Sequence, residues 1–197
     1  MNRSSLIMAG LGSISGILST VAFLGPMFLM IPVVGNVLPG VIYGWCTSLA
    51  LTAGTTDRSR RVLGMLAVGG LGFFAALWAF ILLLQTQGMA AAPTGRVTTD
   101  KDLVFRMIAS SLAGLVGSLI FAIGLAAVLG LNRRPRLLSC FVAVGTLTGG
   151  LFFFSPDVPL PLCFVGWQAC TAATLGPARA RREMMASTNG EMEAGSC

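Results

Sequence analysis

The longest stretch of this chain without a charged side chain runs from Ser4 to Thr56 and contains 53 residues. At 1.5 Å per residue, one continuous helix of that length would measure about 80 Å. The hydrocarbon core of a bilayer is only about 30 Å thick, so a single crossing does not accommodate the stretch. The sequence therefore predicts two membrane-crossing helices here, with a turn between them.

Proline and glycine predict where that turn lies, because proline lacks the backbone N–H group that a helix interior needs. The residues that interrupt helical continuity are Pro26, Pro32, Gly35, Asn36, Pro39 and Gly40. We therefore expect the turn to span this segment. It separates a first helix at about Leu6–Leu24 from a second helix at about Leu38–Leu51.

Four further apolar intervals are each about one bilayer crossing long. They predict helices three to six, at Val62–Leu84, within Leu103–Leu131, at Leu137–Phe154 and at Leu162–Leu175. The composition agrees, because only 10% of the residues are charged, whereas a soluble domain carries about 25%. We expect an all-α integral membrane protein, with one six-helix bundle over residues 1–182 and a mobile tail over residues 183–197.

The basic residues gather at one end of the predicted helices. Ten of the 13 fall on one side, namely Arg3, Arg58, Arg60, Arg61, Arg133, Arg134, Arg136, Arg179, Arg181 and Arg182, and the other side has Arg96, Lys101 and Arg106. The positive-inside rule assigns the arginine-rich side, and with it both termini, to the cytoplasm. The net charge of +6 is thus explained by topology. No basic face rich in aromatic residues indicates a nucleic-acid partner.

A weak internal similarity links the ends of the second, fourth and sixth helices. In Trp45–Gly54, Phe121–Gly130 and Trp167–Gly176, an aromatic residue precedes a glycine by nine positions and an alanine precedes it by four. Gly12–Leu18 in the first helix also resembles Gly145–Leu151 in the fifth. The pattern predicts three hairpins related by an axis along the membrane normal. The alternative is chance similarity between helices built from Ala, Gly, Leu and Thr.

Seven polar side chains within the predicted helices are candidate site residues: Ser13, Ser15, Ser19, Thr20, Thr146, Thr148 and Gln168. Their hydroxyl groups either line a narrow path for an uncharged solute or bond to their own helix backbone. The amide of Gln168 needs a partner in hydrocarbon, so it is expected to bond another helix or else contact a substrate. Glycines at three-to-four spacing predict close helix packing. Trp45 and Trp167 are predicted to anchor at the membrane interface.

Charged and catalytic groups are scarce in the predicted hydrocarbon segments. Arg106 is assigned to the outer end of its helix, which leaves no ionisable side chain to relay protons or bind ions by charge. The chain contains no histidine, and it has no phosphate loop, zinc signature, CxxC pair or nucleophile elbow. No catalytic residue, cofactor or metal is predicted. Enzymatic activity stays open, with a thiol-dependent membrane enzyme as the weakest alternative.

Two functions fit these features best. The first is a structural or accessory membrane subunit, whose partners are the lipid bilayer and other membrane-protein subunits or copies of itself. The alternative is an uncoupled facilitator or channel for a small uncharged solute. The sequence does not identify a substrate or a partner.

Overall fold

A computed structural model describes residues 2–24, 32–53, 55, 57–86, 100–150 and 160–184. The described residues are all-helical and contain no strand, which confirms the predicted all-α class. The helices are α1 (Arg3–Leu24), α2 (Pro32–Leu51), α3 (Arg58–Thr86), α4 (Asp100–Leu129), α5 (Pro135–Gly149), α6 (Leu160–Ala173) and a C-terminal helix α7 (176–184), with a 3-10 turn at Leu131–Arg133 before α5.

Three of these helices contain segments long and apolar enough to cross a membrane: Arg3–Ala22, Arg58–Thr86 and Leu103–Leu129. The apolar part of α2, Val37–Leu51, is shorter. Helices α5 and α6 have 15 and 14 residues, respectively. The described residues therefore form a helical membrane protein in which at least α1, α3 and α4 have spanning length.

The second helix begins earlier than predicted. It starts at Pro32 and continues through Pro39, so the predicted turn is wrong over residues 32–40. Residues 25–31, the other part of that turn, lie outside the described residues. Proline is tolerated in the first turn of a helix, where its missing N–H group has no partner to lose. A proline inside a membrane helix is tolerated where neighbouring helices or polar side chains satisfy the freed backbone groups. The carbonyl of Pro39 itself accepts a hydrogen bond from Ser19 of α1.

Helices α1 to α6 pack in chain order and form a closed ring. Each of α1 to α5 contacts the next helix, and α6 contacts α1. Gly130, in the left-handed conformation at φ 68°, ends α4, and Pro135 then begins α5. Glycine adopts positive φ without the steric penalty of a side chain, which allows the chain to reverse between these two helices.

Glycines bring the helix backbones together, as the small-residue spacing predicted. A Cβ atom added to Gly16 of α1 would lie 2.5 Å from the Cα atom of Val165 in α6. One turn earlier in α1, Gly12 meets the backbone of Gln168. Similar contacts join α2 to α3 and α4 to α5, at Gly40 with Gly69 and at Gly114 with Gly149. Side chains larger than hydrogen would force these helices apart.

Aromatic side chains from five helices fill the centre of the bundle. The ring of Tyr43 in α2 lies 5.0 Å from that of Phe121 in α4 and 5.8 Å from that of Trp167 in α6, centroid to centroid. Phe141 of α5 stacks on Phe121 at 5.5 Å, and Phe73 of α3 lies 6.4 Å from Trp167. These spacings are typical of packed aromatic pairs. We call these five residues the aromatic core.

The aromatic core bears on two sequence predictions. Trp167 packs inside the bundle against Tyr43 and Phe73, so its predicted role as an interfacial anchor is wrong. Trp45 was aligned with Phe121 and Trp167 in the repeat, but its side chain is 47% exposed, and Tyr43 occupies the interior instead. Positions 43 and 45 are two residues apart, which corresponds to a rotation of about 200° around the helix axis. Trp45 therefore lies on the face of α2 opposite to Tyr43.

The close approach of α1 to α6 yields a prediction at Gly16. We expect Gly16→Ala to lower stability in detergent by about 1 to 3 kcal/mol, because the added methyl group overlaps the backbone of α6. Gly10→Ala is the matched control, since a Cβ atom there would meet nothing within 4 Å. Thermal denaturation of both variants measures the difference. Equal stability of the two variants would contradict the close contact.

Candidate functional site

The most connected polar site joins α1, α2 and α6 at Gln168. The Gln168 side chain is fully buried, and its Nε2 atom donates a hydrogen bond of 3.0 Å to Oγ of Ser19. The Ser19 hydroxyl in turn donates to the carbonyl of Pro39 at 3.1 Å. A buried amide without partners would be costly in hydrocarbon, and this network supplies them from two other helices.

The remaining candidate hydroxyl groups do not join this network. Four of them donate to the carbonyl four residues earlier in their own helix, at 2.7 to 3.0 Å: Ser13, Thr20, Thr146 and Thr148. Ser15 is fully buried, and its side chain neighbours the thiol of Cys46. Of the seven candidates, the structure thus brings together Ser19 and Gln168, while the other hydroxyl groups mainly serve their own helices.

A second polar contact between helices lies one turn from Gln168 and was missed in the sequence. The Tyr43 hydroxyl donates to Oγ1 of Thr171 at 2.8 Å, and both side chains are buried. The Thr171 hydroxyl also donates to the carbonyl of Trp167. The available signal was that Tyr43, the only tyrosine of the chain, lies within an apolar run. A tyrosine buried there needs a partner for its hydroxyl group.

The cavity enclosed at the centre of the bundle is very small. Its volume is about 10 Å³, and its lining includes the Tyr43, Phe121 and Trp167 rings together with Ser118. Such a volume is about the minimum that holds one water molecule. The buried hydroxyl of Ser118 finds no hydrogen-bond partner among the described residues. Among the described residues, this cavity between the rings of the aromatic core has room for about one water molecule.

Arg106 departs from its predicted place at an exposed helix end. It falls within the candidate span Leu103–Leu129, and its side chain is only 7% exposed. The structure therefore places a largely buried arginine near the edge of this candidate span. Arg106 lies within the first turn of the span, where a long arginine side chain can direct its charged group toward the membrane surface.

At the arginine-rich end, α7 contacts the ends of two other helices through Arg182. The guanidinium group donates to the carbonyl of Leu51 at the end of α2, and to that of Leu129 at the end of α4, the second bond being 3.0 Å long. The last carbonyl groups of a helix have no partner within it and carry its negative dipole end. Arg182 therefore caps two helices at once, a role that sequence spacing alone did not indicate.

The same helix also holds the start of α1. The Ser4 hydroxyl donates to the Glu183 carboxylate at 3.2 Å, and Arg179 forms an ion pair with Glu183 at 2.7 Å. The hydrogen bond from Arg179 holds the pKa of Glu183 below its usual range. Residues 183 and 184, which were predicted as the start of the mobile tail, are helical. Residues 185–197 lie outside the described part.

Arginines from separate basic runs meet around Arg182. Burial lowers the pKa of Arg182, and the positive charges of Arg61 and Arg134 lower it further. These three residues belong to α3, the link before α5, and α7. The structure thus brings residues of two other basic runs close enough to Arg182 for their charges to act on it.

Comparison with known proteins gives no assignment, because no family model, curated protein or solved structure matches the chain. Among the described residues, no three His, Cys, Asp or Glu side chains lie close enough together to hold a metal ion. Function is therefore argued from the geometry of the bundle and its surface.

The bond between Ser19 and Gln168 yields a prediction that separates it from general packing effects. We expect Gln168→Leu to lower stability in detergent by about 1 kcal/mol. In a double-mutant cycle with Ser19→Ala, a coupling of roughly 0.6 kcal/mol is expected, because each single variant already removes the same bond. Chemical denaturation measures both quantities. Strictly additive losses would show that the two side chains do not stabilise one another.

The double cap by Arg182 predicts that α7 depends on this side chain. We expect Arg182→Gln to speed amide hydrogen exchange across residues 176–184, because the charge-assisted bonds to both carbonyl groups are lost. Arg181→Gln is the matched control, since Arg181 is exposed on the same helix. Hydrogen exchange followed by mass spectrometry measures the effect. Equal exchange in both variants would rule out a capping role.

Proposed function

We propose that this chain is a six-helix membrane protein that acts as a structural or accessory subunit. The observation that carries the proposal is the filled interior. Five aromatic side chains meet at the centre, and the cavity enclosed between them holds about 10 Å³. A bundle without room for a substrate must act through its outer surface, its two ends or its rigidity.

The polar contacts between the helices support the same proposal. Gln168 bonds Ser19, and Tyr43 bonds Thr171, so these buried groups hold helices to one another. Such satisfied polar pairs fix one arrangement of a membrane bundle. A facilitator for small neutral solutes instead needs hydroxyl groups that face an open path. Most of the candidate hydroxyl groups bond the backbone of their own helix.

Six crossings with both termini in the cytoplasm are part of the proposal. An even number of crossings places every arginine cluster at one end, and the charges of Arg61 and Arg134 lie close enough to Arg182 to act on it. Arg3 likewise lies near enough to Glu183 to influence it. We assign this end to the cytoplasm by the positive-inside rule.

We also propose that the bundle consists of three hairpins, α1 with α2, α3 with α4, and α5 with α6. Each odd-numbered helix packs a glycine closely against the even-numbered helix that precedes it in the closed bundle. The glycines concerned are Gly16 against α6, Gly69 against α2 and Gly149 against α4. This common arrangement supports a repeat in which the three hairpins share an orientation.

The subunit function predicts a fixed protein partner in the membrane. The full-length protein is extracted from its native membrane in mild detergent, and the protein mass of the particle is measured by light scattering. We expect a mass above the 20.5 kDa of one chain, in a constant ratio to a second membrane protein or a second copy. Buried, well-packed contacts between small-residue helix faces survive such extraction.

Solute flux provides the opposing measurement. The purified protein in liposomes should equilibrate glycerol and urea no faster than empty liposomes, because the aromatic core closes the centre of the bundle. A monomeric mass together with rapid, gradient-independent flux would overturn the subunit function and favour the facilitator. Monodispersity before reconstitution confirms that the tested protein is folded.

A further inference from the structure

A long apolar groove runs between α4 and α5 on the outside of the bundle. Its volume is about 690 Å³, and it follows α4 from Leu115 to Ala126 and α5 from Leu138 to Leu147. Ile123 and Leu147 on its walls are 66% and 77% exposed. Nearly all of the lining side chains are aliphatic, and Thr146 bonds its own helix backbone. The groove therefore suits a hydrocarbon chain.

The length and position of the groove match one leaflet of a bilayer. At 1.5 Å per residue, its walls extend about 16 Å along α4 and about 14 Å along α5. This is roughly half of the 30 Å hydrocarbon core. The groove lies toward the end of α4 and the start of α5, which is the arginine-rich end. It therefore opens to the leaflet on that side.

Two arginines precede the groove-lining part of α5 in the sequence. Arg136 precedes Ser139 by three residues and Ala143 by seven in α5, so it lies on the helix face that lines the groove. Arg133 is exposed in the link before α5. The sequence contains no acidic residue between Leu103 and Pro156. The positive end of the α5 dipole adds to the charge at the mouth of the groove.

We propose that this groove binds an anionic phospholipid from the leaflet on the arginine-rich side. One acyl chain lies between α4 and α5, and the phosphate contacts the guanidinium groups of Arg136 and Arg133. Basic sites between membrane helices at the cytoplasmic surface recognise anionic headgroups in this way, and guanidinium matches phosphate geometry. The proposal rests on α4 and α5 crossing the membrane and is independent of the subunit function.

The shape of the groove favours a lipid over a protein helix. The groove extends over about half of the hydrocarbon core, which is the depth that one acyl chain of a phospholipid reaches, whereas a helix that crosses the bilayer extends beyond it. A lipid combines an apolar chain of one-leaflet length with a charged group at one end. The groove has both features, in the same order along the membrane normal.

Native mass spectrometry of the full-length protein in detergent tests the headgroup contact. Phosphatidylglycerol and phosphatidylcholine with identical chains are titrated in parallel. We expect tighter binding of phosphatidylglycerol, and we expect Arg136→Gln to reduce that preference about fivefold, which corresponds to about 1 kcal/mol for one basic residue near an anionic headgroup. Arg60→Gln, an exposed arginine at the start of α3, should leave the preference unchanged.

Groove-filling variants test the chain contact. Ala143→Phe should weaken binding of both lipids, because the ring occupies the space of the acyl chain. Ala127→Phe is the control, since Ala127 is exposed on α4 but outside the lining. Glycerol phosphate at equal concentration should not compete, which separates a lipid site from a phosphate site.

Three results would overturn the proposal. Equal losses in the Arg136 and Arg60 variants would indicate a diffuse basic surface, and undiminished binding in a folded Ala143→Phe variant would show that no chain occupies the groove. A second copy of this protein retained in place of lipid would assign the groove to self-association. Thermal denaturation without added lipid verifies that each variant is folded. The lipid-binding results do not depend on the subunit function. They can be interpreted even if light scattering shows that the protein is a monomer.

Discussion

The backbone contacts between helices control the rest of this structure. In hydrocarbon, apolar side chains gain little by leaving lipid for another helix, so close packing and polar contacts must hold a bundle together. Gly12 and Gly16 let α1 approach the backbone of α6. This approach brings Ser19 within hydrogen-bonding distance of Gln168. A larger residue at either glycine would separate the helices and leave the buried amide without its partner.

The ends of the helices have unpaired backbone groups, since the last carbonyl groups lack hydrogen-bond partners within the helix. Arg182 supplies partners for α2 and α4 together, and Glu183 ties the same C-terminal helix to the start of α1. One short helix at the arginine-rich end therefore links the first, second and fourth helices. The positive residues of this region serve packing as well as orientation, two roles that the positive-inside rule alone does not distinguish.

Charge boundaries predicted the helices well, whereas contacts between helices lay beyond the sequence. The first predicted helix, Leu6–Leu24, lies within α1 (Arg3–Leu24). Pro39 was misassigned to a turn because proline was taken as a local helix breaker, whereas a membrane bundle can hold a proline within a helix through contacts with neighbouring helices. Gln168 was recognised as a group in need of a partner, but only the fold identifies which. The contact of Tyr43 with Thr171 was not predicted, because a tyrosine with a single hydroxyl group hardly changes the hydrophobicity of an apolar run.

The small central cavity and the open groove differ in what they can admit. Among the described residues, the cavity between the aromatic side chains has room for about one water molecule, whereas the groove is open on the outside of the bundle. The groove beside α5 can be approached from the lipid, and Arg136 provides charge at its mouth. A bound lipid would extend the contact between α4 and α5, where the walls are otherwise exposed. It would then act as part of the bundle surface that a neighbouring subunit meets, so lipid composition would influence assembly without any change in the interior.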